Sequence, residues 1–275
     1  MPLPGPLSGT TIVVTGGSAG IGAAAARRML SLGATVHVVG RDQAKTAAVA
    51  AELGTPPLTA DFTSLADVRR LAADLLATVP DLDVLANNAG GTWPRRSITA
   101  DGQERTFQVN HLAPYLLTRL LLDRLVERRA TVVTTSSAAH RTGHLDLADP
   151  GHARGRFSGF RAYGTSKLDN ILFTRELARR APAVRAAAFH PGVVATEFAR
   201  DSLLTGLFYR TPLSRTMRSP DSGADTMVWL AQDDSWASGG YYADRKPARA
   251  SRPASHATLA RDLWERSAEL VGLPA

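Results

Sequence analysis

The strongest constraint on the fold is an alternation. Short apolar, β-rich runs recur along the chain, and most are followed by a turn and a helical pattern. "TIVVT" (11–15), "TVHVVG" (35–40), "DVLANN" (83–88), "ATVVTTSS" (130–137) and "AVRAAAFHP" (183–191) are strand candidates, with a shorter one in "PPLTADF" and a last in "GGYYAD". Helical patterns follow in "AAAARRMLSLG", "DQAKTAAVAAEL" and "SLADVRRLAADLLATV", then over about 103–128, over 160–180 and in "SPDSGADTMVWLAQ". Continuous apolar strands separated by helices imply a parallel sheet covered on both faces. The chain has 275 residues and no repeat, low-complexity linker or composition break. The reading is a single doubly wound α/β domain over 1–275, with a parallel sheet of about seven strands flanked by helices.

Such a sheet binds ligands beyond the carboxyl ends of its strands, and the first of those ends is glycine-rich. In "TIVVTGGSAGIGAAAARRML" the glycines Gly16, Gly20 and Gly22 stand between the first strand and its helix, spaced GxxxGxG. A tight turn, close backbone approach and free N–H groups at a helix start suit a dinucleotide pyrophosphate. The second strand ends "VVGRDQ", where an acid would hold a ribose 2′-hydroxyl. Gly40 stands there instead, followed by Arg41, whose planar fork suits a 2′-phosphate. The cofactor expected is NADP(H) in preference to NAD(H).

Composition removes several alternatives. With no cysteine, thiolate nucleophiles, disulfides and Cys-ligated zinc are excluded, and the seven histidines make no paired ligand motif, so no metal is expected. The net charge of +7 comes from arginines spread over helical segments, not from one basic tract, which argues against nucleic acid as a partner. The start lacks the pattern of a signal peptide, and no run approaches the ~18 apolar residues of a membrane span. A soluble, cytoplasmic protein is expected.

The chemistry is sharpest where rare residues stand. Only three lysines accompany 29 arginines, and one of them, Lys167, follows Tyr163 by four residues in "AYGTSKLDN". On a helix both side chains share a face. A cation about 4 Å from a phenol contributes about 4 kcal/mol at an effective dielectric near 20, or about three pKa units. That would bring Tyr163 from its usual value near 10 toward neutrality as an acid or base. Lysine's compact ammonium can also reach a ribose hydroxyl. The four asparagines are Asn87, Asn88, Asn110 and Asn170. Two end a strand, and Asn110 interrupts an apolar helix, where an amide needs partners. Each has a bracing role as its alternative reading.

"TGGSAGIG", "NNAG", the serine ending "VVTTSS", "YGTSK" and "HPGVVATEF" together resemble the short-chain dehydrogenase/reductases, over roughly residues 8–245. The resemblance implies a Rossmann fold in which Ser137 hydrogen-bonds the carbonyl or alcohol, Tyr163 is the acid/base and Lys167 its partner. It implies that Asn110 holds a relay water. It places Gly16, Ser18, Gly20, Ile21, Gly22, Arg41, Asp61, Phe62, Asn88, Ala89, Gly90, Pro191, Gly192, Val194 and Thr196 around the cofactor. Within the family, "VVGRD", "SSAAHRTGHLDL", "YGTSKLDNILFTRELARR" and "LARDLWERSAELVGLP" are similar to the retinol dehydrogenase-like branch. The membrane members of that branch carry an apolar N-terminal anchor that this sequence does not show, so a soluble member is expected.

The activity implied is hydride transfer between the nicotinamide and a hydrophobic or bulky alcohol, aldehyde or ketone. Two alternatives stand beside it. One is a non-redox enzyme of the same fold performing dehydration, epimerisation or cyclisation; the other is an NADP-sensing regulatory binder, which would need no Tyr163 or Lys167. The segment 198–219 reads as a substrate lid and 246–275 as a C-terminal extension. The resemblance implies a homo-oligomer, dimer or tetramer, built on the helices at 103–128 and 160–181.

Overall fold

The structure, a computed structural model, describes residues 5–192 and 218–274. Val194, Thr196 and most of the expected lid lie outside the described residues. Strands β1 (Thr11–Thr15), β2 (Thr35–Gly40), β3 (Leu58–Thr59), β4 (Leu82–Asn87), β5 (Thr131–Thr135), β6 (Arg185–Phe189), β7 (Gly240–Ala243) and β8 (Lys246–Pro247) form one sheet ordered β3-β2-β1-β4-β5-β6-β7-β8. All neighbours are parallel except β7 and β8, a closing hairpin. Asp244 and Arg245 turn that hairpin at φ 51° and 57°, the left-handed geometry such a connection needs. The strand order reverses between β1 and β4, which opens a crevice at their carboxyl ends.

The helices lie on both faces. On one side are α1 (Gly20–Ser31), α2 (Gln43–Leu53) and α8 (Pro220–Gln232). On the other are α3 (Leu65–Thr78), α4 (Arg105–Phe107), α5 (Ala113–Leu120), α6 (Leu122–Glu127), α7 (Gly159–Arg180) and α9 (Ala257–Val271). Side chains along a strand alternate between the two layers. Ile12 and Val14 of β1 join the first layer's core, while Val13 joins the second. Asp42, Ser64, Ser158 and Ser219 cap α2, α3, α7 and α8 through side-chain oxygens that accept backbone N–H groups.

The expected helix over 103–128 is interrupted. Between α4 and α5 the backbone runs as a π-helix over Gln108–Leu112, and α6 begins after a break at Leu121. A one-turn π segment inside a helix often marks a functional site, and this one carries Asn110. The C-terminal extension is an ordered part of the domain. Trp264 of α9 stacks on Phe173 of α7 at 5.9 Å and meets the edge of Tyr115 of α5 at 5.1 Å. The Tyr115 hydroxyl donates to the Trp264 carbonyl at 3.0 Å, and His111 pairs with the Ser267 hydroxyl at 2.9 Å. This chain's own α9 thus packs against both helices on which the resemblance places an oligomer contact.

Helix α7 also buries Asp169 completely, with neither carboxylate oxygen hydrogen-bonded among the described residues. Burial drives its pKa well above the ordinary carboxyl value. The native state thus holds a proton that the unfolded chain releases above about pH 4, so this group lowers stability as pH rises through that window. Asp169→Asn is expected to raise the urea midpoint more at pH 8 than at pH 5.

Candidate active site

The glycine turn is built by close approach. A Cβ on Gly16, at φ +66°, would lie 2.8 Å from the Ala89 Cα, and one on Gly22 would lie 2.3 Å from the Gly16 carbonyl oxygen. Helix α1 begins at Gly20 with no side-chain cap and no acid in its first turn, leaving its N–H groups to an anion. Beside this turn lies a cavity of about 480 Å³ lined by Gly16, Ser18, Gly40, Arg41, Asp61 and Phe62, and across from them by Ala89 and Gly90. A Cβ on Gly40 would meet the Thr46 hydroxyl at 2.2 Å and Ser18 at 2.8 Å. A side chain is excluded at position 40, where an acid would hold a ribose 2′-hydroxyl, and Arg41 follows it on the cavity wall. The donor set fits a dinucleotide carrying a 2′-phosphate.

Other expected cofactor residues take different places. Gly20 and Gly22 belong to the turn itself, and Ile21 packs behind it against the α1-side core. Asn88 is a brace: its amide donates to the Thr15 carbonyl at 3.0 Å, and its carbonyl oxygen accepts from Thr135 at 3.2 Å, joining the ends of β1, β4 and β5. Pro191 and Gly192 follow β6. Trp93 and Arg105 also line the cavity, with the guanidinium 4.5 Å over the indole, and sequence reasoning missed both. A tryptophan six residues beyond a strand's ligand-binding end was the available signal.

The four chemical residues come together where β5, α7 and the π segment meet. Ser136 and Ser137 are told apart by burial. Ser136 is buried and donates to the Lys167 carbonyl at 2.7 Å, while Ser137 is half-buried with its hydroxyl in hydrogen-bond contact with Tyr163. Lys167 donates to the Thr135 carbonyl at 3.1 Å, with its ammonium 5.5 Å from the centre of the Tyr163 ring. Asn170 donates to that same carbonyl at 3.1 Å. Asn110 is fully engaged by its surroundings: it accepts from Gly91 N–H at 2.7 Å and donates to the Gly91 carbonyl and the Ser166 hydroxyl, each at 2.9 Å. Its side chain thereby ties the strand-end loop carrying Gly90 to α7.

Electrostatics here departs from the sequence expectation. Burial raises the Tyr163 phenol to about 12, offset only in part by the Ser137 hydrogen bond. Burial also lowers Lys167 to about 8. Desolvation penalises both charged forms, so the neutral phenol is strongly favoured at neutral pH. The arrangement can polarise a carbonyl oxygen between two hydroxyls and deliver one proton to it.

With this geometry in place, comparison with known proteins gives the family. The family model for short chain dehydrogenases matches residues 10–205. The chain is 44% identical, over 98% of its length and 94% of the other's, to a Streptomyces sp. (strain C5) protein described as a candidate daunorubicin C-13 ketoreductase, DnrU. It is 39% identical to retinol dehydrogenase 12 of Mus musculus, over 97% of this chain and 88% of that one. A crystal structure of an uncharacterised protein from Mycobacterium paratuberculosis superposes with a TM-score of 0.79 at 34% identity, covering 100% of this chain and 98% of the other. The chain belongs to the short-chain dehydrogenase/reductase family of oxidoreductases.

Asn110→Ala removes the acceptor of the Gly91 N–H and is expected to cost about 1–3 kcal/mol in urea unfolding. A change within about 0.3 kcal/mol would mean that the clamp holds nothing.

Proposed function

We propose that this oxidoreductase uses NADPH to reduce bulky lipophilic ketones and aldehydes. The observation that carries the reading is the contact of Ser137 with Tyr163, one helical turn before Lys167. The bound nicotinamide supplies the hydride. Ser137 hydrogen-bonds the substrate oxygen and holds it against the Tyr163 hydroxyl. Tyr163, protonated at neutral pH, donates the proton that the oxygen needs as the carbon is reduced, a role its raised pKa suits. Lys167 steadies the charge left on the phenol and is anchored by Thr135. Arg41 and Ser18 receive the 2′-phosphate, and Ala89 and Gly90 form the opposite wall of the cofactor cleft.

The substrate class rests on the names of the relatives, a candidate ketoreductase for a polycyclic ketone and a retinol dehydrogenase. No helix of the described residues is long and apolar enough to cross a membrane, which supports a cytoplasmic enzyme.

NADPH oxidation with daunorubicin and with retinal, measured by absorbance, tests the activity. Tyr163→Phe is expected to lower kcat by about 10²–10⁴-fold with NADPH affinity unchanged. A variant as active as the parent would remove the assigned proton donor. Arg41→Ala should weaken NADPH binding about 10- to 100-fold, from the loss of a charge-assisted hydrogen bond, with NADH binding little altered. Equal weakening of both cofactors would reject the 2′-phosphate assignment. Because the Lys167 ammonium loses its proton above about pH 8, kcat/KM for reduction should fall as pH rises past that value.

A further inference from the structure

His140 lies three residues after Ser137 on the 3₁₀ turn Ala138–Thr142 and is 1% exposed. Both ring nitrogens are engaged. Nδ1 lies 2.7 Å from the Ser137 carbonyl oxygen, and Nε2 lies 3.0 Å from the backbone nitrogen of Ser251. A carbonyl only accepts and a backbone N–H only donates, so the two partners select one form: neutral imidazole with its proton on Nδ1. The ring is packed edge-on against Tyr241 of β7, with centroids 5.0 Å apart.

Ser251 belongs to the stretch that follows β8, and that stretch has a second tie to the same turn. Arg141 donates to the Arg249 carbonyl at 2.6 Å. The Ser137 side chain depends on this turn, because its oxygen accepts the Ala139 N–H at 3.2 Å as the turn's cap. The His140 backbone N–H and its ring both reach the Ser137 carbonyl, and fixing that carbonyl fixes the peptide plane leading to Ala138, and so the direction of the Ser137 hydroxyl toward Tyr163.

We propose that His140 is a positioning residue: in its neutral form it ties the C-terminal extension to the Ser137 carbonyl and holds that serine in the orientation its hydroxyl needs. This rests on the reading of Ser137 as the group that holds the substrate oxygen. A second proton, on Nε2, would confront the Ser251 N–H donor to donor and break the tie. The charged and titratable groups around the ring are Arg141 on its own turn, His190 after β6 and Tyr241 on β7. Two of these are cationic or become so in acid, and no carboxylate is among them. Burial, Arg141 and His190 favour the neutral ring, with only the Ser137 carbonyl acting the other way. Turnover therefore declines on the acid side, as pH falls through the His140 pKa.

Two substitutions separate positioning from packing. His140→Ala loses both contacts, whereas His140→Asn places an amide N–H where Nδ1–H stood, leaves the Ser251 N–H without its acceptor, and cannot titrate. With NADPH and para-nitrobenzaldehyde, His140→Ala is expected to lower kcat about 10- to 100-fold, as a small misplacement of a catalytic group does, with KM for NADPH within about twofold. His140→Asn should recover part of kcat, through the Ser137 carbonyl contact alone, and flatten the acid limb of the pH profile. The proposal is overturned if His140→Ala keeps the parent kcat, if His140→Asn is as impaired as His140→Ala, or if the acid limb persists in the asparagine variant. Ser137→Ala measured alongside keeps the two readings apart. If it turns over like the parent, the role given to Ser137 fails; if it is inactive while His140→Ala is not, only the positioning role fails.

Discussion

The carbonyl of Thr135 accepts hydrogen bonds from both Lys167 and Asn170, and the candidate site hangs on that junction of β5 and α7. It fixes where the helix sits on the sheet end, and so where Tyr163 stands against Ser137 on the strand's continuation. Asn110 repeats the arrangement from the other side, tying the loop after β4 to Ser166 of the same helix. The Asn88 amide then joins that loop to the glycine turn after β1. Three asparagines and one lysine thus lock the carboxyl ends of β1, β4 and β5 to α7. Most of these contacts satisfy a backbone carbonyl or N–H at the sheet end, and the Ser166 hydroxyl takes the remaining one.

This locking withdraws the ionisable groups from bulk water, with Lys167 buried and Tyr163 half-buried. The result is a neutral phenol near 12 beside an amine near 8. A cation one turn away does not by itself make a tyrosine acidic, because desolvation acts on both members of the pair. For a proton donor to a carbonyl oxygen this is the useful state, since the proton is present at neutral pH and is surrendered only as negative charge develops on the substrate. Arginine in place of Lys167 would not reproduce this balance, as it keeps its charge when buried and needs a planar set of acceptors.

Much of the architecture is legible in the sequence because its elements are long and their periods differ. The strand runs, the Ser-Pro start of α8 and the pairing of Tyr163 with Lys167 on α7 all appear where the pattern puts them. The π segment does not, because one inserted residue leaves the apolar spacing of "RTFQVNHLAPYLL" almost unchanged. Asn88 and Asn110 stand out by scarcity, but their partners, on β1, β5, α7 and the loop after β4, are distant in sequence and brought close only by the fold. His140 is invisible to pattern reasoning for a similar reason: its second partner, Ser251, is 111 residues away along the chain. The elevated Tyr163 pKa could not be read either, because spacing shows the cation and hides the burial.

The protonation state of Tyr163 tests the account most directly. Carbon-13 labelling of the tyrosine ring, with the Tyr163 signal assigned by its absence from the Tyr163→Phe spectrum, reports phenol or phenolate at each pH. A phenol signal unchanged through about pH 10 is the result predicted from burial, as against half-ionisation there for an ordinary tyrosine. A phenolate signal already present near pH 7 would contradict the assignment of Tyr163 as a neutral donor and would mean that the Lys167 cation outweighs burial.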